Sequence, residues 1–160
     1  MKLHFEWQPP LMLTQYKKLI IVNEDLDRIE DEAGVYYFAR NFKDKSEPFY
    51  IGETLTLRSR LKLHLDTRRI ADILRGMKVA DAPAISNGPR SFHFAYFKSK
   101  KGQNAKKALQ IAQKFMIREA IAMNLPLLNS KLTIIKTHSL TFSGEGIATS
   151  IFNKENSIAL

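Results

Sequence analysis

Two short runs constrain this chain more than anything else in it. Residues 34–38 read Gly-Val-Tyr-Tyr-Phe, and residues 49–52 read Phe-Tyr-Ile-Gly. β-Branched and aromatic residues of this kind suit a pleated strand. Residues 41–48 between the runs are polar and charged and end in Pro48, as a hairpin loop does. The pattern predicts a β-hairpin over residues 34–52.

The next segment is pulled two ways. Leu55, Leu57, Leu61, Leu63 and Leu65 fall on odd positions, while Thr54, Thr56, Arg58, Arg60, Lys62 and His64 fall on even ones. Such alternation is a strand signal. Leu, Arg and Lys are good helix formers, however, and no β-branched residue follows Thr56 until Thr67. We read a helix. In either conformation Arg60 and His64, four apart, share a face.

Further along, residues 67–77 predict a second helix ending near Gly76, and 78–90 a loop. Residues 91–98 predict an aromatic strand, and 104–124 a long helix closed off by Pro126. Upstream, residues 18–22 predict a strand. Asn23 is placed to cap a short acidic helix carrying Leu26 and Ile29 on one face. Residues 132–136 predict one more strand. The expected division is an N-terminal extension (1–33) packed on a core (34–130), then a C-terminal strand and tail (131–160). The 160 residues make one domain with a real core.

The chain lacks cysteine. That excludes disulfides, cysteine nucleophiles and zinc–thiolate sites, and favours a cytoplasmic location. No segment reads as a signal peptide or a membrane span. The net charge of +9 favours a polyanionic partner, nucleic acid before membrane. Charge is also unevenly placed. Residues 24–32 are acidic, whereas residues 82–144 carry ten Lys and Arg against the single carboxylate Glu119. The choice there lies between a solvated basic face and phosphate binding, and the imbalance favours the latter.

Glu119 draws attention for a second reason. Projected at about 100° per residue, the long helix clusters Ala108, Ala112, Phe115, Met116 and Met123 on one face, with Glu119 at its centre. A carboxylate buried there requires a partner. Either a buried Arg or Lys, or a divalent cation, satisfies it, and the sequence leaves these open.

Together, Gly34-Val35-Tyr36, then Tyr50-Ile51-Gly52, then Arg60 four residues before His64, and finally Pro126-Leu127-Leu128-Asn129 resemble the motifs of the GIY-YIG nuclease family. That resemblance implies an α/β fold with a small three-stranded antiparallel or mixed sheet flanked by helices. It implies catalytic roles for Tyr36, Tyr50, Arg60, His64, Glu119 and Asn129. Tyr36 becomes the general base toward water, and Tyr50 positions that water or the scissile phosphate. A phenol is a poor base at neutral pH and needs a cation nearby. Arg60 supplies a planar donor fork for the phosphorane. His64 orients Tyr36 or relays its proton, unless it is simply structural. Asn129 ties the helix end to the site or merely stops the helix. Glu119 becomes the ligand of one Mg²⁺ or Mn²⁺. Strict motif spacing instead points to Ile117, which carries no carboxylate and on this projection faces away from the apolar side.

The expectation is therefore a metal-dependent endonuclease acting on DNA before RNA. Phosphate contacts are expected from Arg58, Lys62, Arg90, Lys98, Lys100, Lys101, Lys106 and Lys107. One alternative is a catalytically inactive nucleic-acid-binding module on the same scaffold. Another is an interaction protein whose basic face meets an acidic partner.

Overall fold

The structure is a computed structural model. It describes residues 2–16, 19–22, 24–43, 45–80, 85, 88–129, 137–141 and 155–159. Of those within 14–25, 137–141 and 155–159, only the backbone is described.

The hairpin forms, but with a tighter turn than expected: residues 41–42 and 45–48, read as loop, continue the two strands. Strand β4 (Gly34–Phe42) pairs antiparallel with β5 (Lys45–Thr54). The aromatic run becomes β6 (Arg90–Phe97) and pairs with the other edge of β4. The sheet then grows beyond the three strands expected. The N-terminal chain adds β1 (Phe5–Trp7) and β2 (Leu11–Tyr16), both against β6, and β3 (Leu19–Val22) against β2. The result is a six-stranded sheet in which every pairing is antiparallel. Pro9-Pro10 splits what would otherwise be one long strand along β6, because proline has no N–H to give the ladder.

Two helices cover one face of the sheet. Helix α1 (Leu57–Asp66) and α2 (Arg68–Leu74) bury Leu57, Leu61, Ile70, Ile73 and Leu74 against Tyr36, Phe38, Phe92 and Phe94. On α1 the buried set is Leu57, Leu61 and His64, an i, i+4, i+7 stripe, so helical period prevails over the alternation of the leucines. The opposite face receives α3 (Ala105–Ala122) through Ala108, Leu109, Ile117 and Ala120, packed on Val35, Ala95, Phe97 and Ile51. Fully burying one leucine contributes about 1.5–3 kcal/mol. These anchors therefore outweigh a helix cap, worth about 1 kcal/mol, in fixing where each helix lies.

The acidic segment has a definite job. It forms a 3₁₀ helix (Glu24–Arg28) rather than an α-helix, and its continuation grips the start of α1. Asp31 accepts from the Ser59 backbone N–H (3.0 Å) and the Ser59 hydroxyl (2.6 Å). The Leu57 N–H donates to the Glu32 carbonyl (3.0 Å). Thr56, at the N-cap, makes no side-chain cap, so Asp31 takes that part, and its charge suits a helix N-terminus. Hydrogen bonds from Ser59 hold its carboxyl below the usual range.

The expected strand over 132–136 and the Asn23 cap lie outside the described residues. Farther on, β7 (Thr137–Thr141) and β8 (Glu155–Ala159) form a two-stranded antiparallel ladder. Among the described residues no helix is long and apolar enough to cross a membrane.

Candidate active site

Gly52 stands directly opposite Tyr36 in the β4–β5 ladder. A Cβ built on Gly52 would land on the Tyr36 ring and hydroxyl. The missing side chain is thus what lets the phenol lie flat across the neighbouring strand. Gly34 repeats the device: a Cβ there would meet the Ala95 carbonyl and Leu57 of α1. Both glycines serve close approach, and neither has a φ in the left-handed region.

A β-bulge brings in the second tyrosine. Phe38 faces Tyr50 and Ala39 faces Pro48, which leaves Phe49 as an extra residue in β5. Phe49 and Tyr50 therefore both reach the α1 side, each within 6.4 Å of the Phe38 ring. From α1, His64 closes the site. The Tyr36 hydroxyl and His64 Nε2 are 2.6 Å apart, and the Tyr50 ring stands edge-on to the imidazole at 5.1 Å.

Tyr36 is 2 % exposed and His64 7 %, whereas Tyr50 and Arg60 are half-buried and form the rim. Burial pushes the Tyr36 phenol well above its ordinary range; Tyr50 adds to this, and the Arg60 charge opposes it. Tyr50 is raised by burial, against opposing effects of its hydrogen bond with Tyr36 and of Arg60. Burial, reinforced by Arg60, pulls His64 down to about 4. At neutral pH the pair is accordingly a protonated phenol beside a neutral imidazole. With the imidazole proton on Nδ1, Nε2 is free to accept from Tyr36.

That depressed value makes stability depend on pH. Below about pH 6.5 the unfolded chain takes up the His64 proton, while the folded chain refuses it until about pH 4. The stability of the neutral, buried form is full above pH 6.5 and is lost as pH falls through that window. Melting temperature should drop more steeply between pH 6.5 and 4 for the wild type than for His64→Gln. Parallel pH profiles of the two proteins would rule out a buried neutral His64.

Asn129 makes a strand-like contact. Its amide accepts from the Ile51 N–H (3.0 Å) and donates to the Ile51 carbonyl (2.6 Å). Gln113 of α3 donates to the same carbonyl (3.3 Å), and the Leu128 N–H donates to the Phe49 carbonyl (2.7 Å). The free edge of β5 is therefore covered beside the bulge, which ties the end of the α3 segment to the strand that carries Tyr50.

Glu119 departs from expectation. It is exposed, and its neighbours on that side of α3, Phe115 and Met123, are 62 % and 65 % exposed. The buried arc is turned toward Leu109, Ile117 and Ala120, so Glu119 lies outside it and needs no buried partner. Ile117, expected to face away, is fully buried against Ile51 and Ala120. A hard divalent cation takes several oxygen ligands. Among the described residues no group of three or more His, Asp or Glu converges. Among the described side chains no all-protein cage for Mg²⁺ or Mn²⁺ is assembled.

The expected phosphate contacts divide. Lys62, Lys100, Lys101, Lys106 and Lys107 are exposed. Lys98 is exposed and paired with Glu6 at 3.0 Å. Arg58 spends its Nε on the Ile29 carbonyl, another hold on α1. Arg90 is buried, with its guanidinium 5.5 Å from the centre of the Phe49 ring, and does not present its charge to solvent. The α1–α2 junction adds exposed Arg68 and Arg69, which the Lys-rich span had overshadowed.

No protein-family model, curated protein or solved structure matches this chain.

Proposed function

We propose that the protein hydrolyses phosphodiester bonds in nucleic acid, DNA before RNA, at Tyr36, His64, Tyr50 and Arg60. The observation that carries this is convergence. Side chains from β4, β5 and α1, 28 residues apart in the case of Tyr36 and His64, meet in one hydrogen-bonded cluster. An apolar core has no need of a histidine bonded to a phenol beside an arginine.

In this reading the phosphate enters past the rim and sets its oxygens on the Arg60 fork, with Tyr50 moving aside to admit water. Water oxygen attacks phosphorus. Its proton passes to the Tyr36 oxygen as the Tyr36 proton passes to His64 Nε2, so the phenol ends neutral and the imidazole charged. Arg60 stabilises the charge gathering on the phosphorane. The bond to the leaving oxygen then breaks, that oxygen takes a proton from solvent, and His64 returns its proton to bulk water.

The exposed Glu119 and the buried Ile117 favour a second reading, a module that binds nucleic acid without cutting it. Incubation with supercoiled plasmid, in Mg²⁺ and in EDTA, tests both. Wild type should nick the plasmid, and Tyr36→Phe should lose this activity while Tyr50→Phe keeps more of it, because only the proton acceptor is indispensable. Retardation of the plasmid without nicking in either buffer selects the binding module. An active Tyr36→Phe protein would defeat the mechanism.

A further inference from the structure

Away from the Tyr36–His64 pair, on the other face of the sheet, a second group of rings stands beside α3. Tyr37 of β4 packs on that side with Ile51 and Ile117. His93, its cross-strand partner in β6, stacks on it at 4.4 Å with 8° between the planes. Trp7 of β1 meets Tyr37 edge-on at 5.7 Å and is 53 % exposed. Hydrogen-bonding groups alternate with these rings. His93 Nε2 is shared by the Ser91 hydroxyl (2.9 Å) and the exposed Ser46 hydroxyl (3.3 Å), and Ser91 donates to Asn41 (3.2 Å). Lys43 and Lys45 lie exposed at the β4–β5 turn beyond Ser46, the Lys43 ammonium over the Phe42 ring on the Tyr36 side of the sheet.

We propose that this surface binds the unpaired bases of a nucleic-acid strand, with Trp7 as the stacking ring and Tyr37 and His93 as its support. The inference rests on the nucleic-acid reading of the protein. Its chemistry argues for one occupant. A partner helix or a lipid would favour a purely apolar surface, whereas this one carries the exposed Ser46 hydroxyl and the half-buried Asn41 amide and His93 imidazole between its rings, with the Ser91 hydroxyl buried beneath them. A base wants both a π-face to stack on and donors and acceptors for its edges, with cations nearby for the phosphates. Burial lowers the His93 pKa, which favours the neutral imidazole; with Nε2 engaged by the two serines, Nδ1 is the ring nitrogen left for a base edge. Bases in a duplex are already stacked and cannot use the ring, so the site selects single strands.

Trp7 is the chain's single tryptophan, so its fluorescence reports this surface alone. The test titrates the full chain with a labelled 20-mer of oligothymidylate and with a duplex of equal length. Tryptophan emission and label anisotropy are followed together. The single strand should quench Trp7 saturably, with the duplex quenching far less at equal occupancy. Trp7→Ala should weaken single-strand binding by roughly 5- to 100-fold, the loss of one stacked base, and leave the melting temperature near wild type because the ring is half outside the fold. Tyr36→Phe should leave quenching intact. Binding seen by anisotropy with no change in Trp7 emission overturns this site but not the nucleic-acid reading. No binding by either signal overturns both. Emission that varies with protein concentration, without oligonucleotide, assigns the surface to a second copy of the chain and overturns the proposal.

Discussion

Gly52→Ala should cost this protein about 3 kcal/mol of stability and its melting temperature roughly 6–12 °C. Taken alone, the substitution ought to help. Glycine in a strand gives up more backbone entropy on folding than alanine does, and replacing it usually stabilises by about 0.5–1 kcal/mol. The Tyr36 ring reverses the sign, because the new methyl would occupy the space of its hydroxyl end. Nor can the ring step aside. Phe38, Phe92, Tyr50 and His64 surround it at centroid distances of 5.5–6.3 Å, and close-packed neighbours resist displacement. A double mutant checks the cause. Shortening the ring in Gly52→Ala/Tyr36→Leu should recover part of the loss relative to the sum of the single changes, since the two positions are in contact. A Gly52→Ala protein that melts at or above wild type would show that the ring does not cross this strand.

Much of the site was legible because its signals are local. Tyr36 and Gly52 sit in short runs whose strand character is strong, and His64 completes a helical i, i+4, i+7 stripe with Leu57 and Leu61. A polar residue in that place is already a sign that something pairs with it. The sheet's true width was harder to see, because Pro9-Pro10 breaks the N-terminal pattern into pieces of three and six residues. Only pairing with β6, some 80 residues away, makes strands of them. The helix projection failed for a physical reason. Phe115 and Met123 dominated the apparent apolar face by size, yet both are exposed, while the packed face carries small alanines together with Leu109 and Ile117. Alanines let α3 lie close to the sheet but weigh little in a hydropathy pattern. Charge counting had a similar blind spot. Arg58 and Arg90 count as basic residues, but one hydrogen-bonds the Ile29 carbonyl and the other lies buried over Phe49.

Arg60→Ala should reduce cleavage by about 100- to 1000-fold, the usual effect of removing one transition-state donor. The loss should fall mainly on kcat, because a group that meets charge developing at phosphorus contributes more to the transition state than to the bound substrate. Stability should change little, since Arg60 is only half-buried, at the rim of the site. Its neighbour supplies the contrast. Arg58→Ala removes the hydrogen bond to the Ile29 carbonyl, a charged-donor bond of the kind worth about 1.5–3 kcal/mol. It should lower the melting temperature and leave turnover per folded molecule near wild type. The electrostatics add a second readout. Arg60 opposes protonation of His64 and favours ionisation of Tyr36, so its removal should raise the His64 titration midpoint above about 4 and push Tyr36 still higher. Whatever activity survives needs a neutral His64, so the acid limb of its pH profile should move toward higher pH. Arg60→Lys keeps the charge without the planar fork and should restore the limb while recovering only part of the rate. An Arg60→Ala protein that cuts at the wild-type rate, or an Arg58→Ala protein that loses kcat instead, would remove Arg60 from the chemistry.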